Sequence, residues 1–365
     1  MRETKNIFIL KMKFQKYQIQ KSRFFLLFIF LFAICAQLQS QEVVEIPEPL
    51  LSEQYLATIK QVKQTGNENY DEKIKILSQF LSTASNLYER FNIIFWELSF
   101  LFAAKGQYSK CFQILAEGQE EGMFYPFQTN WPEYIDKLEP LDNFNSFVET
   151  NNQLRKEAEK EAKFEYFVQL PENYSDQNEY PLLIVLHGGI GSHIALAEKW
   201  YSPKLDNEYV VAFLQGCRFQ GSFLRSYQKD NLSNIVIAYE QIMQKYSIDT
   251  SKIVLGSGSI GGKLSIMLLL DELIPASGLI LAFPVKPGDL EVQKLTKAAN
   301  AGIRAVFLCG EKDWAISQQK EMGYIFDKNN IKNMFIVFSG IGHEYLVNFS
   351  KEIDLSLDYI FEKKQ

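Results

Sequence analysis

A serine in a turn of small residues is the first feature of this sequence that could carry out chemistry. The stretch Lys252–Gly262 reads Lys-Ile-Val-Leu-Gly-Ser-Gly-Ser-Ile-Gly-Gly, an apolar strand pattern that runs into a helix. Small side chains let the chain reverse sharply, so the residue at the apex is exposed above the helix N-terminus. With Ser259 at the apex, the turn is close to the G-x-S-x-G elbow of nucleophilic serines and departs from it at Ser257.

Two other interpretations of this turn are open from the sequence alone. An apex at Ser257 would put the large Leu255 where the elbow needs a small residue, so we favour Ser259. A small-residue turn without any catalytic role explains the stretch equally well until a base and an acid are found.

Three histidines are candidates for the base that such a serine requires. His343 follows the last predicted strand in Ser-Gly-Ile-Gly-His, where a neutral imidazole can accept the serine proton and return it to a leaving group. His187 lies in a glycine loop and is expected to hold that loop by hydrogen bonds, while His193 is expected at the surface. We therefore assign the base to His343.

The acid and the oxyanion donors follow from position along the chain. In architectures of this kind the order is serine, acid, histidine, and Asp313 follows a strand at the required place, with Glu311 as the alternative. A second strand ends in His187-Gly-Gly, so the backbone N–H of Gly189 could donate to a developing oxyanion. Ile260, directly after the serine, is the expected second donor.

The elements that must position these residues alternate between strands and helices from residue 164 onward. Apolar strands followed by helices predict a mostly parallel sheet with helices on both faces and the candidate residues at its carboxyl edge. The predicted strands are Phe164–Leu170, Leu182–Leu186, Tyr209–Phe213, Ile253–Gly256, Gly278–Ala282, Ala305–Cys309 and Phe335–Phe338. The predicted helices are Asn231–Tyr246, Gly262–Leu270, Ser317–Asn329 and Phe349–Phe361.

Residues from about 160 to the end resemble the α/β-hydrolase superfamily. The matching segments are Leu186–Gly189, Tyr246–Asp249 leading into Lys252–Gly262, Gly310–Asp313 and Gly342-His343. They are most similar to the phospholipase/carboxylesterase and dienelactone-hydrolase-like esterases. The resemblance implies an α/β fold in which Ser259, Asp313 and His343 form a triad, with Gly189 and Ile260 as oxyanion donors. It does not cover the N-terminal half.

The segment before the hydrolase-like part is predicted to be helical. Apolar residues recur at three- and four-residue spacing in Tyr55–Val62, Ile74–Leu87 and Phe91–Ala104. The stretch Ala103–Cys111 resembles the turn of one tetratricopeptide-type repeat, although a plain helical hairpin explains it equally well. We predict an export signal over residues 1–40, a helical domain over 41–160 with a connecting helix or linker near Asn151–Lys163, and a catalytic domain over 161–365.

The N-terminus is typical of an export signal. Lysines and Arg23 precede the apolar run Phe24–Ala36, which is too short to span a bilayer comfortably, and small residues at Ala36 and Ser40 offer cleavage points. A retained membrane anchor is the alternative, and the true start is Met1 or Met12. We expect an exported protein that is periplasmic, extracellular or surface-associated.

Composition limits the remaining functions. The net charge of −6 and the lack of a basic block outside the N-terminus argue against a nucleic-acid partner. Cys111, Cys217 and Cys309 are expected to be buried thiols. We see no metal-ligand spacing, phosphate-cradling loop or nucleotide signature, and expect no cofactor. The expected activity is hydrolysis of a small or short-chain acyl ester by a serine nucleophile. The alternatives are a peptidase of the prolyl-oligopeptidase type, or a non-catalytic binding protein with a protein partner on the helical domain.

Overall fold

The computed structural model describes residues 42–66, 68–127, 132–228, 231–346 and 348–362. The described residues from Val43 onward form one compact unit. The predicted export segment 1–40, with its apolar run Phe24–Ala36, lies outside the described residues. Within the described part of the chain, no helix is both long enough and apolar enough to cross a membrane.

Residues 53–160 fold into consecutive helices, as their spacing predicts. The stretch from Leu87 to Ala104 is continuous but changes to a π-helix in its middle, and Gly106 then turns the chain with a φ of 68°. The elements are α1 (Glu53–Gln64), α2 (Tyr70–Leu81), α3 (Leu87–Phe91), the π-helix Asn92–Leu98, α4 (Ser99–Ala104), α5 (Tyr108–Glu120), α6 (Ile135–Leu138) and α7 (Phe144–Lys160). These helices pack around an aromatic core, which includes Phe91, Phe95 and Tyr125 and also Leu224 from the later part of the chain.

The rest of the chain is built on an eight-stranded sheet with the order β1-β2-β4-β3-β7-β8-β9-β10. Its strands are β1 (Val43–Glu45), β2 (Phe164–Gln169), β3 (Tyr180–Leu186), β4 (Val210–Gln215), β7 (Ile248–Gly258), β8 (Gly278–Ala282), β9 (Arg304–Gly310) and β10 (Lys332–Phe338). Six strands run parallel, whereas β1 and β2 run in the opposite direction at one edge. Two short strands, β5 (Arg218–Gly221) and β6 (Leu224–Ser226), form a separate hairpin.

Helices cover both faces of this sheet, which explains why its central strands are apolar on both sides. They are α8 (His193–Lys199), α9 (Pro203–Glu208), α10 (Asn231–Lys245), α11 (Ile260–Leu270), α12 (Val292–Asn300), α13 (Ile316–Lys328) and α14 (Phe349–Phe361). One core packs Ile184 and Leu255 against α10 and α11, and the other packs Val185 and Phe213 against α8 and α14.

The predicted fold class is confirmed by this arrangement. A mostly parallel sheet, helices on both faces and a sharp strand-to-helix turn after the central β7 are the features of the α/β-hydrolase fold. Cys111, Cys217 and Cys309 are buried thiols, as expected. The division of the chain at residues 40 and 160 stays a prediction, and so does the status of the helices as a separate domain.

Candidate active site

Ser259 lies at the apex of the turn between β7 and α11, in a backbone conformation that non-glycine residues rarely adopt. Its φ is 53° and its ψ is −119°. Three backbone hydrogen bonds hold this conformation: the Ser259 N–H donates to Ala282, and the Ser259 carbonyl accepts from Gly262 and Val285, each at 3.0 Å. A strained residue kept in place by its neighbours is typical of a nucleophile elbow.

Ser257 has a different environment, inside the sheet. It is fully buried in β7, with Leu186 and Leu281 beside it on the neighbouring strands. Its hydroxyl has no hydrogen-bond partner. A side chain in this position cannot reach a substrate, so the rival placement of the apex at Ser257 does not fit the structure.

The glycines of the elbow are needed because other groups approach their Cα atoms closely. A Cβ atom on Gly258 would lie 2.4 Å from the hydroxyl oxygen of Tyr345. A Cβ atom on Gly261 would lie 2.5 Å from the carbonyl oxygen of His187. Any larger residue at either position would push the elbow away from the histidine loop or from the end of β3.

His343 connects the serine to a buried carboxylate. Its Nε2 lies 2.8 Å from Ser259 Oγ, and its Nδ1 lies 2.9 and 3.0 Å from the two oxygens of Asp313. Because the Nδ1 proton is shared with Asp313, Nε2 is free to accept the serine proton. The imidazole side chain is 21% exposed, whereas that of Asp313 is completely buried. The carboxylate is therefore shielded from water while one side of the base stays open.

Asp313 is held by two donors besides the histidine. The N–H of Ala315 donates to one carboxylate oxygen at 2.7 Å, and the side chain of Gln319 donates to the other at 2.8 Å. The alternative acid, Glu311, instead accepts hydrogen bonds from Ser339 and Gly340 at the start of the histidine loop. The structure thus places Asp313, and not Glu311, next to the imidazole.

The loop after β3 lies against the elbow. A Cβ atom on Gly188 would lie 3.3 Å from Ser259 Cβ, and one on Gly189 would lie 3.5 Å from the Ile260 side chain. Ile260 is the first residue of α11, so its N–H belongs to the unpaired, positively polarised end of a helix. Gly189 and Ile260 therefore adjoin each other beside the serine, where an oxyanion would need its donors.

His187 is engaged at both ring nitrogens and has none left for catalysis. Its Nδ1–H donates to the Gly188 carbonyl at 2.7 Å, and its Nε2 accepts from the Gly216 N–H at 3.0 Å. The ring stacks on Tyr227, whose hydroxyl accepts from the His187 N–H. Burial lowers the pKa of His187 to about 4, so it is neutral at neutral pH. The expectation that it holds the loop is confirmed.

The expectation that His193 lies at the surface is wrong. His193 is the first residue of α8, and its ring is buried 5.2 Å from the ring of Phe167. Burial, and then the nearby guanidinium of Arg225, lower the pKa of His193 to about 3. The error arose because α8 is a short helix that packs on β4, which the sequence pattern did not indicate.

Two aromatic residues beside the base were not identified from the sequence. Phe283 follows β8, and its edge approaches the His343 ring, with the centroids 4.8 Å apart. Trp314, directly after Asp313, has its ring centroid 4.8 Å from that of His343. The position of Trp314 next to the candidate acid was the only signal available for it. Among the described residues, no group of three or more side chains could hold a metal ion.

Comparison with known proteins finds matches among solved structures. No family model and no curated protein matches the chain. An uncharacterized protein from Bacillus cereus ATCC 10987 is 18% identical, with a TM-score of 0.46 over 85% of this chain and 99% of its own. A Bacillus cereus carboxylesterase is 18% identical, with a TM-score of 0.44 over 57% and 99%. An S-formylglutathione hydrolase from Staphylococcus aureus is 15% identical, with a TM-score of 0.40 over 53% and 88%.

At these identities and scores, the matches do not indicate what this chain acts on. The fold is established by the chain's own strand order and by the strained turn between β7 and α11. By these features, the chain has the α/β-hydrolase fold.

Proposed function

We propose that this protein is a serine hydrolase that cleaves a carboxylic ester through an acyl-enzyme intermediate. The observation that carries the proposal is the continuous hydrogen-bonded chain from Ser259 Oγ through His343 to the buried Asp313. The order of these three residues along the sequence and the strained backbone of Ser259 support it further.

The proposed first half of the reaction forms the acyl-enzyme. Ser259 Oγ attacks the carbonyl carbon of the ester while His343 Nε2 takes the hydroxyl proton. The N–H groups of Gly189 and Ile260 hold the negative oxygen of the tetrahedral intermediate. The bond to the alcohol oxygen then breaks, and His343 returns the proton to that oxygen.

The second half regenerates the serine. A water molecule gives a proton to His343 Nε2 and attacks the acyl carbon, and the released Ser259 oxygen takes that proton back. Asp313 keeps the Nδ1 proton in place and stabilises the imidazolium through both steps. The hydrogen bonds from Ala315 and Gln319 hold this carboxylate in its orientation.

The test of the proposal is covalent labelling of Ser259. The protein is treated with a fluorophosphonate probe, and the labelled peptide is identified by mass spectrometry. We expect label on Ser259 in the wild type and in Ser257→Ala, and none in Ser259→Ala. A series of aryl esters with acyl chains of increasing length then defines the preferred acyl group. A wild-type protein that takes up no probe and hydrolyses no ester would instead favour a binding function for this fold.

Export is a second proposal, supported by the basic and then apolar residues before Ser40. We expect the mature chain to begin near Gln37 or Gln41. N-terminal sequencing of protein from the native host tests this, and an intact N-terminus at Met1 or Met12 would contradict it.

A further inference from the structure

Trp314 combines high exposure with a position beside the proposed base. The residue is 67% exposed, although an indole carries one of the largest apolar areas of any side chain. Its ring plane is inclined by 33° to that of His343, at a centroid distance of 4.8 Å. An exposed indole in contact with a base offers an apolar surface to whatever enters the site.

The exposure of Trp314 does not result from a loose loop. The residues on either side are fixed, because Ala315 donates its N–H to the Asp313 carboxylate and Ile316 donates its N–H to the Asp313 carbonyl at 3.1 Å. The Asp313 side chain is itself buried. Trp314 is therefore presented by a rigid turn at the start of α13, which favours a preformed contact surface.

The proposed mechanism determines which part of a substrate would meet this surface. His343 Nε2 must return its proton to the alcohol oxygen, so this oxygen has to lie within hydrogen-bonding distance of the imidazole. The carbonyl oxygen faces the other way, toward Gly189 and Ile260. The group attached to the alcohol oxygen then passes beside the imidazole, next to Trp314.

We propose that Trp314 is a specificity-determining residue that stacks on an aromatic ring in the alcohol part of the substrate ester. This inference rests on the proposed function. A flat ring gains offset stacking on the indole in addition to the burial of apolar surface, whereas a small alkyl alcohol leaves the indole exposed. Phe283, on the edge of the same imidazole, is buried and offers no comparable surface.

The experiment compares three esters of the acyl group that the wild type prefers: benzyl, cyclohexylmethyl and ethyl. Their alcohols are of similar leaving ability, so differences in kcat/KM report contacts with the alcohol part. We expect Trp314→Ala to lower kcat/KM for the benzyl ester roughly tenfold relative to the ethyl ester. Trp314→Phe should retain most of the activity, because a smaller aromatic surface remains. The matched control is Tyr324→Ala, since Tyr324 is an equally exposed aromatic residue on α13 and should affect no ester selectively.

Two results would overturn the inference: a benzyl-to-ethyl ratio of kcat/KM that Trp314→Ala leaves unchanged, with or without an equal loss on all three esters, or a loss on the cyclohexylmethyl ester as large as that on the benzyl ester. An equal loss would mean that Trp314 only shields His343. These results differ from failure of the proposed function, in which the wild type hydrolyses no ester and Ser259 takes up no probe.

Discussion

At the scale of single residues, Ser257 and Ser259 lie only two positions apart but differ in backbone conformation, in burial and in contact with the proposed base. Ser259 is strained, adjoins the glycine loop and contacts His343, whereas Ser257 is buried between strands with an unpartnered hydroxyl. Ser257 therefore serves as a matched control for Ser259, the proposed nucleophile.

We predict opposite outcomes for substitutions of these two serines. Ser259→Ala should lower kcat on the preferred aryl ester by about a thousandfold or more, because members of a triad act as a unit. Ser257→Ala should leave kcat nearly unchanged and keep or raise the melting temperature, since it removes a buried hydroxyl that bonds to nothing. Ser257→Gly should be neutral or beneficial for activity. Steady-state kinetics and thermal melts test both predictions. If Ser257→Ala abolished activity and Ser259→Ala did not, the assignment of Ser259 as the nucleophile would be wrong.

The sequence predicted those residues of the candidate site that directly follow a strand. Ser259, Asp313 and His343 each follow an apolar strand, so parallel topology alone brings them to one edge. Gln319 and Trp314 were not predictable in the same way. Gln319 reaches Asp313 from within α13, six residues further on, and such a contact depends on how a helix is packed.

At the scale of elements, the β5–β6 hairpin connects the helical segment to the proposed oxyanion loop. On one side, Gly191 and Arg225 exchange backbone hydrogen bonds of 2.9 and 2.8 Å. On the other side, the Ser222 N–H donates to the Phe124 carbonyl, and the Phe124 N–H donates to Ser222 Oγ at 2.8 Å. Phe223 packs its ring against Phe91, deeper in the helical core. The hairpin therefore couples the helical segment to the loop that carries Gly189.

We predict that weakening this connection lowers catalysis more than substrate binding. Ser222→Ala removes the acceptor for the Phe124 N–H and should reduce kcat roughly three- to tenfold with little change in KM, because small displacements of oxyanion donors are costly. Ser82→Ala is the control, since the Ser82 hydroxyl donates to the Gln79 carbonyl within its own turn of the helical segment. An unchanged kcat in Ser222→Ala, measured well below its melting temperature, would show that the hairpin does not position the loop.

The hairpin itself was missed by the sequence analysis, as was β1. Both consist of strands of three or four residues, with charged members such as Glu45, Arg218 and Arg225. β1 pairs with β2, which is distant along the chain, whereas the two hairpin strands pair with each other but are too short to show an apolar pattern of their own. The longer central strands were found because burial on both faces requires continuous apolar runs, as in Leu182–Leu186.

At the scale of the whole molecule, we predict that residues 160–365 fold without the helical segment. The sheet keeps its own covering helices in such a truncated chain, which favours folding. The truncation also removes β1 from the sheet edge and uncovers Phe223 and Leu224, which pack in the helical core. We expect a chain that begins at Lys160 to be soluble but to melt at a lower temperature and hydrolyse esters more slowly than residues 41–365. Insolubility of every such chain would mean that the helices complete the core.

Two buried histidines make the stability of the folded chain sensitive to acid. Burial lowers the pKa of His187 to about 4 and that of His193 to about 3, while both titrate near 6.5 when the chain is unfolded. Between these values the unfolded state binds more protons than the folded state. Their contribution is therefore fully present above about pH 6.5 and is lost progressively as the pH falls toward 4 and below.

His193→Phe should remove one of these two contributions without disturbing the other. The His193 ring is buried against Phe167, and a phenyl ring keeps this contact, so we expect the stability at pH 7 to change little. Between pH 7 and pH 5, the free energy of unfolding should fall by about 2 kcal/mol less in His193→Phe than in the wild type. Urea titrations at the two pH values measure this difference. His187 is present in both proteins, so its contribution to the acid sensitivity is the same in each. Equal losses in the two proteins would mean that His193 is protonated, or solvated, in the folded state, because only a buried neutral imidazole produces the difference.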